Sequence, residues 1–274
     1  MSEIPHTREN AVKFFGDYLK INDVRDKKVI DLSAGSGYII NEFHKSGAVV
    51  ELFDLFPKQN TYCPVECKPI DLQKPFPIEP KTADVVILGE TIEHLPNQFF
   101  FFSEASKILK KGGTLLLTTP NSSSLRSRFS QFLMESEHYS TPAPTEADAF
   151  TKWSPAPSGS GRLRQSASAS ARGPKSGSTE GYFSKLFISG LLRLRTLAAL
   201  NGLKIKKVHP SKGSSTSYLL LIYYPVIYYF SAKNRRKQIR NDPSHKEIYE
   251  EIFRLNTSVD VLTSKHLIIE WVSS

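Results

Sequence analysis

The stretch "VIDLSAGSGYII", residues 29–40, decides how the rest of the chain is read. Val29 and Ile30 end a short apolar run of strand type, and Tyr38, Ile39 and Ile40 open a helical period. Gly35 and Gly37 stand between the two, so the connection is a tight turn in which backbone comes close to whatever lies beside it.

Working outward, the same alternation of apolar runs and helical periods continues from residue 7 to about 120 and predicts a parallel sheet with crossover helices. Strands are read at 28–32, 48–53, 66–70, 83–88 and 113–119. Helices are read at 7–20, 37–47 and 98–110, the last ending at "KKGG", where lysines suit the negative helix end and glycine a left-handed cap. A further helix fits "SLRSRFSQFLM". The composition then turns to Ser, Gly, Ala, Pro and basic residues over 154–181, with almost nothing apolar to bury, and disorder is expected there. Order is expected again in a helix ending near Asn201–Gly202, a strand near 203–208, a helix around "SHKEIYEEIFRL" and a last strand "HLIIEWV" at 266–272. The division expected is a ligand-binding core at 1–140, a linker or lid at 141–181, and a C-terminal part at 182–274 that completes the sheet and carries a cap at about 211–262.

Charge is unevenly spread. Residues 1–120 carry 14 Lys+Arg against 16 Asp+Glu, a net of −2, and residues 121–274 carry 22 against 11, a net of +11. A basic second half suits an anionic lipid surface, a phosphate-bearing acceptor or RNA, but solubility explains many such excesses, and nucleic acid is disfavoured. The two cysteines, Cys63 and Cys67, are too few for a disulfide framework or a cysteine zinc site and read as thiols of a reducing cytoplasm. No apolar signal segment opens the sequence, so export is not expected.

The ligand of the glycine turn is approached by elimination. A dinucleotide fingerprint would place a third glycine where Ile40 stands, and no G-K-[ST] follows for a phosphate loop. S-adenosylmethionine, which has no phosphate, calls instead for carboxylates and backbone contacts. Asp31 closes the first strand, where it can receive the ligand's ammonium. Asp54 closes the second, 17 residues after Gly37, where two carboxylate oxygens can accept both ribose hydroxyls. Asp71 closes the third, where it can take the adenine amino group beside the amide of Leu72. The cofactor-contacting set is read as Asp31, Ser33, Ala34, Gly35, Gly37, Asp54, Leu55, Asp71, Leu72 and Gly89. The alternative is that the three aspartates merely cap strands and turns.

"VIDLSAGSGYI", "ELFDLFP", "PIDLQKPFP", "ADVVILGETIEHLPN" and "ILKKGGTLLLTTPN", in this order and spacing, resemble the successive motifs of class I S-adenosylmethionine-dependent methyltransferases. They look closest to the group that includes ubiquinone-biosynthesis O-methyltransferases and small-RNA 2′-O-methyltransferases. The similarity covers about residues 25–125. It implies a doubly wound α/β fold with a mostly parallel seven-stranded, Rossmann-like sheet and a helical and aromatic insertion before the last strand. Ser33 departs from the family pattern, which usually has a glycine there; serine is small enough to keep the turn open.

The resemblance also singles out "GETIEHLPN", in which Glu90, Glu93 and His94 form E-x-x-E-H. On one helical turn these three share a face. In the groups named, a similar motif holds a divalent cation together with a later histidine. Here His138 comes early, and Ser184 or Lys185 occupies the region where that histidine is sought, so a metal is not favoured. His94 as a general base without metal is the competing reading, and Glu90, Glu93 and His94 are the candidate catalytic residues. Otherwise Glu90 lines the cleft, Glu93 faces solvent or an arginine, and His94 caps a turn.

"SYLLLIYYPVIYYF" at 217–230 is 14 residues with a central proline, short of the roughly 20 that cross a bilayer. With "AKNRRKQIR" it joins an aromatic segment to a basic one. Packing as a hydrophobic cap over the site is the favoured expectation, and peripheral membrane contact through 217–240 the alternative. The function expected is O-methylation of a small molecule or a glycan- or lipid-linked precursor in the cytoplasm. A degenerate cofactor-binding protein, or an RNA methyltransferase, stands as the alternative.

Overall fold

The computed structural model describes residues 9–136, 150–152, 181–183 and 187–274. Seven strands form one sheet: β1 (Lys28–Asp31), β2 (Val49–Asp54), β3 (Cys67–Pro69), β4 (Ala83–Gly89), β5 (Leu109–Pro120), β6 (Leu203–His209) and β7 (His266–Ser273), in the order β3-β2-β1-β4-β5-β7-β6. Pairing is parallel from β3 through β5, and β7 runs antiparallel between β5 and β6. Succession reverses between β1 and β4, which opens a crevice at the carboxyl ends of those strands. Because β7 is antiparallel, its first residue lies at that same rim, with His266 opposite Pro120.

Strand alternation divides the core between the two faces. Val86, Leu88, Leu115, Leu117, Leu267 and Trp271 bury one face under α3 (Gln98–Ile108) and α5 (Leu191–Ala199), and Phe102 meets the Trp271 ring edge-on at 5.8 Å. Val85, Ile87, Leu116 and Ile268 bury the other under α1 (Glu9–Ile21) and α2 (Tyr38–Lys45), where Phe15 packs on Phe43 at 6.1 Å. The strands and helices expected from the apolar runs are present, with one correction. The helix read as 98–110 stops at Ile108, because the amides of Lys81 and Thr82 take the carbonyls of Lys107 and Ile108, both at 2.9 Å. "KKGG" belongs instead to a bulge in β5. Pairing with β4 jumps from Ala83↔Leu109 to Val85↔Thr114, with Gly112 at φ +76° inside the bulge.

Beyond β5 come α4 (Leu125–Met134) and, between β6 and β7, α6 (Ser215–Leu219), a 3₁₀ turn at Leu220–Tyr223, α7 (Tyr224–Asn241), α8 (Lys246–Thr257) and α9 (Val259–Thr263). Pro225 sits in the first turn of α7, where its missing N–H costs no helical bond. Among the described residues no helix is long and apolar enough to cross a membrane. Phe150–Lys152 and Gly181–Phe183 pair as a two-stranded antiparallel ribbon. The stretch expected to be disordered lies outside the described residues apart from Gly181.

At the β6–β7 edge the Glu270 side chain is buried and receives Lys206 Nζ at 2.8 Å and His209 Nε2 at 3.1 Å. Burial alone would raise the Glu270 carboxyl, yet those two partners hold it below its ordinary 4.5. Burial, outweighing Glu270, holds the His209 imidazole below its ordinary 6.5, so at neutral pH the ring donates as a neutral Nε2–H. Both groups take up a proton more readily when unfolded, so acid favours unfolding at each. The stabilisation is complete above about pH 6.5 and is lost in two stages, as pH falls through the histidine range and then below the carboxylate range. The melting temperature will therefore fall between pH 7 and 5 and again below 4.5, the ordinary carboxyl value. His209→Gln, which keeps a donor to Glu270, will flatten the first step in a pH series of thermal melts.

Candidate functional site

The turn that closes β1 is held open by backbone geometry. Gly35 and Gly37 have φ of +52° and +78°, the left-handed region that favours glycine. A Cβ on Gly37 would stand 2.1 Å from Asn60 Oδ1. Asn60 cannot easily yield, because it receives the Cys63 amide at 3.2 Å and donates to the carbonyls of Cys63 at 3.0 Å and Val65 at 2.8 Å. Asp54, at the end of β2, accepts the Gly35 amide at Oδ2 and the Phe56 amide at Oδ1, both at 2.8 Å. Asp31 is buried and accepts the Ser33 amide at 3.0 Å. Both carboxylates lie near the Cys67 thiol, which burial first and then Asp54 and Asp31 push up to about 12.

Ser33, the departure from the family pattern, has a structural reason. Its hydroxyl accepts the Gly89 amide at 2.9 Å and so ties the β1 turn to the end of β4 across the crevice. A glycine there would leave that amide to water or a ligand.

A cavity opens at this rim, lined by Asp31, Ser33, Ala34, Ser36, Gly89 and Glu90 and closed on the helix side by Ala11, Val12, Tyr38 and Tyr62. The rings of Tyr38 and Tyr62 meet edge-on at 5.4 Å. Thr118 of β5 also lines it, and its buried hydroxyl has no hydrogen-bond partner among the described residues. Gly35, Gly37 and Asp54 form the turn beside the cavity rather than its wall. Leu55 is exposed, and Leu72 is buried in the core on the face opposite the cavity. Asp71 caps its own turn, with Oδ1 accepting the Gln73 amide at 3.0 Å and Oδ2 facing Lys74 Nζ at 3.2 Å. No residue of 211–262 is in the lining.

The E-x-x-E-H segment does not form one helical face. The helical turn begins only at Ile92 and is a 3₁₀ turn ending at His94, while Glu90 stands before it at φ +48°. Strand alternation then separates the carboxylates. Glu90 lines the cavity on the Ile87–Thr118 face, whereas Glu93 is fully buried and accepts the Thr119 hydroxyl at 3.0 Å on the other face. His94 is half-buried in the turn, its amide on the Thr91 carbonyl at 2.9 Å. Among the described residues no three Asp, Glu, His or Cys side chains gather closely enough to hold a metal ion. His138, Ser184 and Lys185 lie outside the described residues.

The structure brings up a histidine the sequence reading missed. His266 Nε2 lies 3.6 Å from Glu90 Oε2, and both side chains are 21% exposed. That is an ion-pair distance rather than a hydrogen bond. Its signal was topological, since only an antiparallel last strand carries residue 266 to the rim where β4 ends.

The donor set suits S-adenosylmethionine. Each Asp54 oxygen takes one amide and retains a lone pair for a ribose hydroxyl, Thr118 offers an unmatched hydroxyl, and the glycine turn leaves no Cβ in the way.

Comparison with known proteins bears on the same region. A ubiquinone biosynthesis O-methyltransferase of Pelagibacter ubique is 26% identical over 125 residues, which is 43% of this chain and 52% of that protein, so the chain spans about half the length of this relative. Two crystal structures share the fold: an S-adenosylmethionine-dependent methyltransferase of Archaeoglobus fulgidus (TM-score 0.51, 13% identity, 97% of this chain and 94% of that one) and one of Mesorhizobium loti (0.50, 11%, 98% of each). The seven-stranded, mostly parallel sheet is thus the Rossmann-like sheet of methyltransferases. Residues 6–154, more than half of the chain, match the family described as a methyltransferase domain, and to that family the protein belongs.

Proposed function

We propose that the protein binds S-adenosylmethionine at the β1–β4 crevice and transfers its methyl group to an oxygen of a small molecule, or of a sugar- or lipid-linked precursor, in the cytoplasm. The observation that carries this reading is the pair of carboxylates, Asp31 and Asp54, fixed by backbone amides on either side of a turn opened by two left-handed glycines. Asp31 would receive the ammonium of the ligand, Asp54 the ribose diol, and Asp71 the adenine amino group. S-adenosylmethionine supplies an electrophilic methyl carbon; the rest of the work is alignment and proton removal.

Glu90 lines the cavity and His266 lies beside it, so an acceptor hydroxyl entering next to Glu90 would come near both. His266 is suited to take the hydroxyl proton at a ring nitrogen, and the Glu90 carboxylate at 3.6 Å stabilises the imidazolium that forms. Two free thiols, Cys63 and Cys67, suit a reducing compartment.

The test is incubation with methyl-labelled S-adenosylmethionine and pools of hydroxylated small molecules and lipid-linked sugars, preceded by calorimetry. Heat on cofactor addition and label on an acceptor oxygen are expected. No heat would overturn the cofactor reading, and heat without transfer would mark a degenerate binding protein. His266→Ala is expected to lower turnover by about 10²-fold or more while cofactor affinity stays within about twofold. Undiminished turnover would remove His266 from proton transfer.

A further inference from the structure

The helices between β6 and β7 carry a surface that the cavity does not use. α7 is fastened by one face to α8: Ala232 is buried, Tyr228 meets the Phe253 ring edge-on at 5.3 Å, and the Arg235 guanidinium lies 4.2 Å over that ring and 3.0 Å from Glu250. The opposite face is exposed and sorted along its length. Val226, Tyr229 and Phe230 occupy its first turns, and Lys233, Arg236, Lys237 and Arg240 continue the same stripe at three- and four-residue spacing. Among the described residues none of these four cations has an ion-pair partner. The apolar end is widened by Leu219 and Ile222, 77% and 78% exposed, and α4, which packs on the same turn, adds Phe132 at 82%. α7 is one helix of 18 residues from Tyr224 to Asn241, so Val226 near its start and the basic tail at its end are fixed on one rod of about 27 Å.

We propose that this face docks on an anionic lipid bilayer, with the α6–α7 junction dipping into the acyl boundary and the basic tail of α7 resting on the headgroup phosphates. Hydrocarbon and phosphate lie at different depths of a bilayer. A rod with aliphatic and aromatic groups at one end and unpaired cations at the other satisfies both when it enters obliquely. Tyr223 and Tyr229 carry an apolar ring and a polar tip, which suits the boundary between the two layers. A second copy of the chain fits less well, because a two-fold contact through this face would set Lys233, Arg236, Lys237 and Arg240 against the same cations of the partner. The inference does not depend on the chemistry at the cavity.

The experiment is co-sedimentation of the full chain with vesicles of phosphatidylcholine alone and of phosphatidylcholine mixed with an equal part of phosphatidylglycerol. Binding to the mixed vesicles, weakened by salt, is expected, with little binding to the neutral ones. Each cation near the surface contributes about fivefold, so Arg236→Glu with Lys237→Glu will lower partitioning more than about tenfold. Ile222→Ser with Val226→Ser will lower it by about tenfold through lost apolar burial. Both pairs lie on the exposed face, so melting temperature and the heat of S-adenosylmethionine binding will match the parent, which separates lost docking from lost folding or a failed site. A parent chain that stays in the supernatant with mixed vesicles, variants that bind like the parent, or a parent dimer that Ile222→Ser dissociates without vesicle binding would each overturn the proposal.

Discussion

Asp54→Ala will weaken S-adenosylmethionine binding by about two orders of magnitude. Two hydrogen bonds from ribose hydroxyls to an ionised carboxylate contribute about 1.5 kcal/mol or more each, so losing both costs about 3 kcal/mol, and each 1.4 kcal/mol is tenfold. The side chain also organises the site before any ligand arrives, because its two oxygens hold the amides of Gly35 and Phe56 at 2.8 Å. Removing it therefore frees the turn as well as deleting the acceptors. Asp54→Asn separates the two effects. One amide oxygen remains to receive either the Gly35 amide or a hydroxyl, and the loss should be nearer tenfold. Titration calorimetry reads both variants, and an Asp54→Ala affinity within twofold of the parent would remove this carboxylate from the site.

The pieces that position Asp54 were legible because they rest on local rules. Apolar runs of five to seven residues mark strands whose bounds are displaced by one or two positions, except that β5 begins four residues earlier than expected, at Leu109, and paired glycines mark the turn. What escaped the sequence depended on contacts from elsewhere in the chain. The end of α3 was misread at "KKGG" because the amides that cap it belong to Lys81 and Thr82. The E-x-x-E-H segment was read as one helical face because glutamate gives no hint of a positive φ; at +48°, Glu90 turns toward the cavity while Glu93 goes through to the opposite face of the sheet and Thr119. His266 was missed because its place beside Glu90 follows from the direction of β7, a property of topology rather than spacing. The aromatic run at 217–230 leaves Leu219 and Ile222 exposed, a detail its apolar composition hides, since among the described residues its neighbours α4 and α8 cover one side of it.

Gly37→Ala will cost about 3 kcal/mol of stability and abolish useful cofactor affinity in what remains folded. The first contribution is conformational. At φ +78° a residue with a Cβ is strained by about 1 kcal/mol relative to glycine. The second is the 2.1 Å approach of that Cβ to Asn60 Oδ1. Asn60 must move, and moving it loosens three hydrogen bonds to Cys63 and Val65, each contributing about 1 kcal/mol. At a few degrees per kcal/mol for a chain of this size, the melting temperature should drop by about 10 °C. Gly112→Ala supplies the control, since Gly112 shares the positive φ, at +76°, but a Cβ there meets nothing within 4 Å; it should show the conformational part alone. A double-mutant cycle then isolates the clash. Asn60→Ala removes the obstructing oxygen along with its own bonds, so Gly37→Ala with Asn60→Ala must cost clearly less than the two single changes added together. Strict additivity in urea unfolding would mean that the turn does not press on Asn60, and the opening beside Asp31 and Asp54 would then owe nothing to the missing side chain at residue 37.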